Sequence, residues 1–176
     1  MLKQRDLQEC QSLYHLMIDP AVFPYVRNKS QSYEEYLFTT ERLIVEEEQG
    51  TSISRTILNE TGHPIGTIDL YDIGNKTGFL ATWVGIPYFG KGYNQRAKET
   101  FFSELFLKHN IETVFLKIRE QNIRSKKAVQ KLPYVKLAND INPPLYHLIN
   151  YTQQHYDLYQ VDRLDFLDTR NVVQAY

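Results

Sequence analysis

The chain has 176 residues, 42 % hydrophobic and 23 % charged, with thirteen Tyr and nine Phe, a composition that fits one globular domain with an aromatic-rich core. A formal net charge of −1 leaves no global basic field to attract nucleic acid. Cys10 is the only cysteine, which excludes an intrachain disulfide; neither an apolar signal core nor a run of about 18 apolar residues is present, so no membrane partner is expected and the expected location is the cytoplasm.

Residues 7–18 predict a short amphipathic helix, because Leu7, Cys10, Leu13, Tyr14 and Met17 recur at three- and four-residue spacing. Asp19-Pro20 ends it, since the residue before proline avoids helical angles. Ser32 and Glu35 form a capping box for a second helix, which runs through Tyr36, Leu43 and Ile44 to a stop near Gly50. The period then changes. Residues 52–58, 64–73 and 78–84 read as strands joined by hairpin-length turns, which predicts an antiparallel meander.

Residues 93–110 carry Ala97, Phe101, Phe102, Leu105 and Phe106 on one helical stripe. A β-branched and aromatic strand follows over 113–118, then a helix over 122–132 that Pro133 stops. Further strands are expected over 134–138 and 156–161, with a helix between them opening at Asn142 and reaching Gln154. The remainder is expected to be loosely ordered. The resulting fold class is α/β of the α+β type: one mixed sheet flanked by helices, in a single domain over 1–176 with its core at about 7–161.

The chemistry concentrates in Trp83-Val-Gly-Ile-Pro-Tyr-Phe-Gly-Lys-Gly-Tyr-Asn-Gln95. A strand stops, a turn with two glycines follows, and a long helix begins. Glycines let backbone amides approach a ligand, and a helix start leaves about four amides unpaired with partial positive charge, which together suit phosphate. Lys91 and Arg96 add charge beside it. A Walker loop is excluded because Gly92 follows Lys91, and a Rossmann fingerprint because Gln95 stands where a third glycine is required. An ordinary glycine turn remains the alternative. A second cluster, Asn122-Ile-Arg-Ser125, opens the next helix at the same end of a neighbouring strand, where open α/β sheets bind ligands; capping is the alternative reading of Asn122 and Ser125.

The stretch from Gly78 to Tyr93, followed about 30 residues later by Asn122-Ile-Arg-Ser125, resembles the GNAT acetyltransferase superfamily, in particular the branch containing the ribosomal-protein N-terminal acetyltransferases. The resemblance covers roughly residues 7–161. It implies a mostly antiparallel sheet with a central splay between two parallel strands. It implies acetyl-coenzyme A as co-substrate, no metal, and as acceptor a primary amine on a small molecule, a polyamine or a protein N-terminus; a homodimer is among the assemblies it allows. By resemblance, backbone near Trp83 and Val84 pairs with the pantetheine arm, the segment Phe89, Gly90, Lys91, Gly92, Tyr93, Asn94 and Gln95 holds the pyrophosphate, and Asn122 and Ser125 add cofactor contacts; Lys126 and Lys127 reach phosphate or adenine, with a solvated helix face as the alternative. The chain departs from the family pattern at Phe89, where Gln or Arg is usual, at Asn94, where Gly or Ala is usual, and at Val129, where many members carry a Tyr. Ser125 is then the implied partner of the leaving thiolate, and Asp69 and Glu120 are the candidate bases, each with a solvated surface carboxylate as the alternative. Two other functions stay open: a non-catalytic acyl-coenzyme A-binding module, and an interaction domain without cofactor.

Overall fold

The computed structural model describes residues 1–174, and places residues 175–176 outside that range. Strand β1 (Leu2–Gln4) leads into a 3-10 turn and α1 (Cys10–Met17); α2 is Tyr33–Glu48; β2 (Ile53–Leu58), β3 (Pro64–Gly74) and β4 (Thr77–Val84) form the meander. Then come α3 (Tyr93–Lys108), β5 (Thr113–Arg119), α4 (Ile123–Gln130), β6 (Val135–Leu137), α5 (Pro143–Ile149), β7 (Tyr156–Asp162) and α6 (Arg163–Gln174). Among the described residues no helix is long and apolar enough to cross a membrane.

One seven-stranded sheet, ordered β1-β2-β3-β4-β5-β7-β6, carries all the helices. All its pairings are antiparallel except β4 with β5. Local chemistry sets the boundaries. The Ser32 hydroxyl accepts from the Glu35 amide at 3.1 Å, as a capping box requires, but the Glu35 carboxylate returns to the amide of Gln31, at 2.5 Å, rather than to that of Ser32. The β3–β4 hairpin turns at Asn75 and Lys76, both with positive φ (49° and 60°), the twist that a two-residue hairpin demands.

Three expectations need correction. The helix expected to reach Gln154 ends at Ile149, where the Asn150 side chain bonds back to the Tyr146 carbonyl and ties down Tyr156. The tail expected to be loose contains α6, whose Phe166 is 1 % exposed and packs against Phe102, Phe106 and Tyr134. A three-residue edge strand, β1, precedes the expected start of the core and pairs with β2.

Side chains alternate across a strand, so the sheet has two distinct faces. Ile68 and Leu70 of β3, Leu80 and Val84 of β4, and Val114, Leu116 and Ile118 of β5 pack beneath α3, with Ala97, Phe101, Phe102, Leu105 and Phe106. The opposite face takes Trp83 against α1 and α2, through Cys10, Leu13, Met17 and Tyr36, and Phe115 against α5. The parallel pair is the weak seam. Its ladder joins Thr77, Gly78 and Phe79 to Thr113, Val114 and Phe115 and stops there. Beyond it β4 stays with β3 as far as Val84, and β5 stays with β7 as far as Arg119. The strands therefore diverge, and β4 and β5 leave a gap in the sheet.

Candidate active site

The gap opens into a cavity of about 820 Å³. It runs through the sheet: Leu80, Thr82, Val84, Leu116 and Ile118 line it from the α3 face, and Tyr71, Ala81, Trp83, Lys117 and Arg119 from the other. The cavity thus has two mouths, one between α3 and α4 and one beneath the α1–α2 connection.

The first mouth is built by the glycine turn. Gly90 and Gly92 have φ of 73° and 78°, left-handed values that side chains rarely adopt. Gly92 is the N-cap of α3, and its carbonyl accepts from the Arg96 amide at 3.1 Å. Among the described residues no carbonyl accepts from the amides of residues 90–95, so a row of donors is left at the positive end of a 16-residue helix. Across the gap the Asn122 side chain accepts from the Ser125 amide at 3.2 Å and caps α4. The cap is therefore Asn122; Ser125 is a half-buried hydroxyl that lines the cavity.

All the residues expected to hold the cofactor line this cavity except Lys91, Lys126 and Lys127. The Lys91 ammonium turns outward and lies 5.8 Å from the Tyr88 ring, and Lys127 is exposed on the outer side of α4. Neither Arg96 nor Lys126 is directed into it: Arg96 bonds to Glu60 and the Lys91 carbonyl, and Lys126 pairs with Asp157 at 2.5 Å. Phe89 is apolar packing shared by both faces, and the guanidinium of Arg124 lies 4.2 Å over its ring. Asn94 bonds to Thr82 at 3.3 Å, which ties the first turn of α3 to β4.

Lys98 was not singled out by the sequence pattern. It lies one turn beyond Asn94, is 5 % exposed, lines the cavity and has no carboxylate or carbonyl partner among the described residues. Burial alone pulls its ammonium down to a pKa of about 8. An unpaired buried cation beside a row of unpaired amides suits an anionic ligand, and the residues present fit the diphosphate end of a coenzyme A molecule.

The candidate bases separate. Asp69 is 5 % exposed on the α1–α2 face, hydrogen-bonded by the Ser54 hydroxyl. Burial pushes its carboxyl up, against the opposing pull of Arg5, the Ser54 hydroxyl, Arg27 and Thr67. It faces a small cavity of about 20 Å³, whose walls Ala81, Thr82, Trp83, Val26 and Arg27 are shared with the large one. Glu120 is exposed on the β5–α4 loop and does not line the cavity. Among the described residues the one carboxylate in the lining is Asp72, at a β-bulge with φ of 52°. His147 and Tyr146 lie on α5, outside the lining.

A parallel strand pair splays beside a glycine turn, and a cavity passes through the sheet at the splay. Residues 1–134 match the family model of the acetyltransferase (GNAT) domain, and the chain belongs to the GNAT acetyltransferase family. Among solved structures, the spermidine N-acetyltransferase of Vibrio cholerae in complex with CoA and spermine superposes with a TM-score of 0.74 at 10 % identity, over 95 % of this chain and 97 % of that one. The ribosomal-protein-S5-alanine acetyltransferase of Vibrio fischeri gives a TM-score of 0.74 at 15 % identity, over 94 % and 93 %. At such identities these likenesses establish a shared fold. No curated protein sequence gives a significant match.

Proposed function

We propose that the chain transfers an acetyl group from acetyl-coenzyme A to a primary amine by direct attack. The observation that carries this reading is the cavity through the sheet, with the unpaired amides of residues 90–95 at one end and the α1–α2 connection at the other. Acetyl-coenzyme A supplies an activated thioester. The amides of residues 90–95, with Lys98 and Arg124, neutralise the diphosphate, and the edge of β4 beyond Phe79 has no strand partner and presents backbone groups to the pantetheine arm. The free NH2 of the Asn122 amide contacts that arm from α4. An N–H on the same β4 edge, near Val84, serves as the oxyanion donor.

The attacking amine must lose a proton. Asp69 takes that role as a positioned base of raised pKa, through a water: the 20 Å³ pocket at its carboxylate has room for about one water-sized sphere and adjoins the main cavity. Ser125 donates to the leaving sulfur. The acceptor is a polyamine or a protein N-terminus; the relatives above are named for spermidine and for an alanine of a ribosomal protein.

A ligand that binds only the native state stabilises it by about 2.7 kcal/mol at 100-fold excess over its dissociation constant. Acetyl-coenzyme A is expected to raise the melting temperature accordingly, with thiol released when amine is added. Gly92→Glu should abolish the shift, because it puts a side chain at φ of 78°, a carboxylate among the phosphate donors and a Cβ 3.2 Å from Arg96. A shift that survives in this variant, shown by circular dichroism to be folded, would displace the phosphate site. A shift with no thiol release across an amine panel would make the chain an acyl-coenzyme A-binding module.

A further inference from the structure

The second mouth has a charge pattern that the first does not need. Arg27 and Lys29, on the α1–α2 connection, and Lys117 and Arg119, on β5, line it from opposite sides. They lie on the face of the sheet opposite α3, away from the amides of residues 90–95. None of the four is within ion-pair distance of a carboxylate among the described residues. Aromatic rings position three of them: Arg27 is 3.6 Å over Tyr71, Lys29 is 5.9 Å from Phe23, and Lys117 is 5.6 Å from both Phe79 and Tyr156. A ring fixes a cation without cancelling its charge. Among the described residues Asp72 is the only carboxylate in the lining. A chain of net charge −1 therefore concentrates positive potential at this entrance, where low-dielectric walls focus it.

We infer that the acceptor is an acidic peptide N-terminus, its α-amino group entering the gap while carboxylates of the following residues pair with the cations on both sides of the mouth. The inference rests on the acetyltransferase reading and narrows its acceptor. A polyamine carries several ammonium groups and one or two cations too many for this entrance, since like charges brought together without a counter-ion repel. An amino acid with a single carboxylate cannot engage both walls, whereas a peptide with successive Asp or Glu offers at least one for each.

The test compares three acceptors with the whole chain and acetyl-coenzyme A: a peptide beginning Ala-Asp-Glu-Asp, the same peptide with lysines at the acidic positions, and spermidine. Product is followed by mass spectrometry and thiol release. The acidic peptide should have a kcat/KM higher by about tenfold or more, the equivalent of one well-placed charge contact, and the advantage should shrink as salt rises. Charge reversal at two exposed positions, Lys29→Glu with Lys117→Glu, should erase it through KM with kcat little changed. Equal or better turnover of spermidine or of the lysine peptide would overturn the inference and leave the acetyltransferase reading standing. Calorimetric titration of the two peptides, without acetyl-coenzyme A, decides the point even if nothing turns over. Tighter binding of the acidic peptide that the double variant loses supports the inference, and equal binding overturns it. Failure of the acetyltransferase reading shows separately, as absence of the thermal shift with acetyl-coenzyme A.

Discussion

Lys98 and Asp69 are buried charged side chains near the gap, one on each face of the sheet, and their environments make opposite demands. Lys98 has no counter-charge, so the folded state carries its desolvation at neutral pH. Its folded pKa of about 8 lies below the ordinary lysine value of 10.5. Below pH 8 both states are protonated and the full penalty applies; between 8 and 10.5 the folded state sheds a proton that the unfolded state keeps, so stability rises with pH across that window. Lys98→Met keeps the volume and removes the charge. It should stabilise the chain by on the order of 2 to 3 kcal/mol at pH 7, with the gain fading toward pH 10. Urea unfolding of both proteins at the two pH values measures this; a difference independent of pH would refute the assignment. Asp69→Asn tests the base. A positioned general base contributes about 10²- to 10⁴-fold, so kcat should fall by at least about 10²-fold while acetyl-coenzyme A still raises the melting temperature. The raised carboxyl pKa also predicts that activity of the parent declines as pH falls through a range above the ordinary 3.8, and that this limb is missing in the variant. A lowered melting temperature with an unchanged pH profile would make Asp69 a structural anchor for Ser54 and Arg5.

At the level of elements, what the chain spells locally could be read from it, and what depends on distant partners could not. The Ser32 cap, the Asn75-Lys76 hairpin and the glycine turn at residues 90–92 are each decided within a few residues, so their chemistry is visible in the sequence. The period-2 alternation of Ile68 and Leu70 with Asp69 and Tyr71 places the two pairs on opposite faces of β3. Edge strand β1 is three residues long and exists because β2 offers an edge, a fact without local signal. Lys98 reads as an ordinary helix lysine on the stripe beside Ala97 and Phe101, and only the splay of β4 from β5 turns it toward a cavity. Lys117 and Arg119 read as alternating polar residues of a strand; their pairing with Arg27 and Lys29 across the mouth joins segments about 90 residues apart. For Lys127 the resemblance implied a cofactor contact, but the helical period places it on the exposed side of α4, while Arg124 and Ala128 line the gap.

Across the whole molecule, the site depends on α3 being seated at both ends, and the two ends are held by different parts of the chain. The N-terminal end is fixed by Asn94 on Thr82, and the C-terminal half by the cluster of Phe102, Phe106, Tyr134 and Phe166. Phe166 comes from α6 and is 4.9 Å from the Tyr134 ring. Truncating a buried Phe costs about 3 to 5 kcal/mol, so Phe166→Ala should lower the urea-unfolding free energy by that amount. The cavity it leaves lies beside Phe102 and Phe106, ten or more residues beyond Gly92, or about 15 Å along the helix at 1.5 Å per residue. Close packing resists relaxation over that distance, so the phosphate donors should stay in place and acetyl-coenzyme A affinity should change less than threefold, by about 0.6 kcal/mol or less. Calorimetry on the variant at a temperature where it remains folded separates the two effects. A large loss of both stability and affinity would mean that α3 moves as one rigid body, and that α6 positions the glycine turn from the far side of the core.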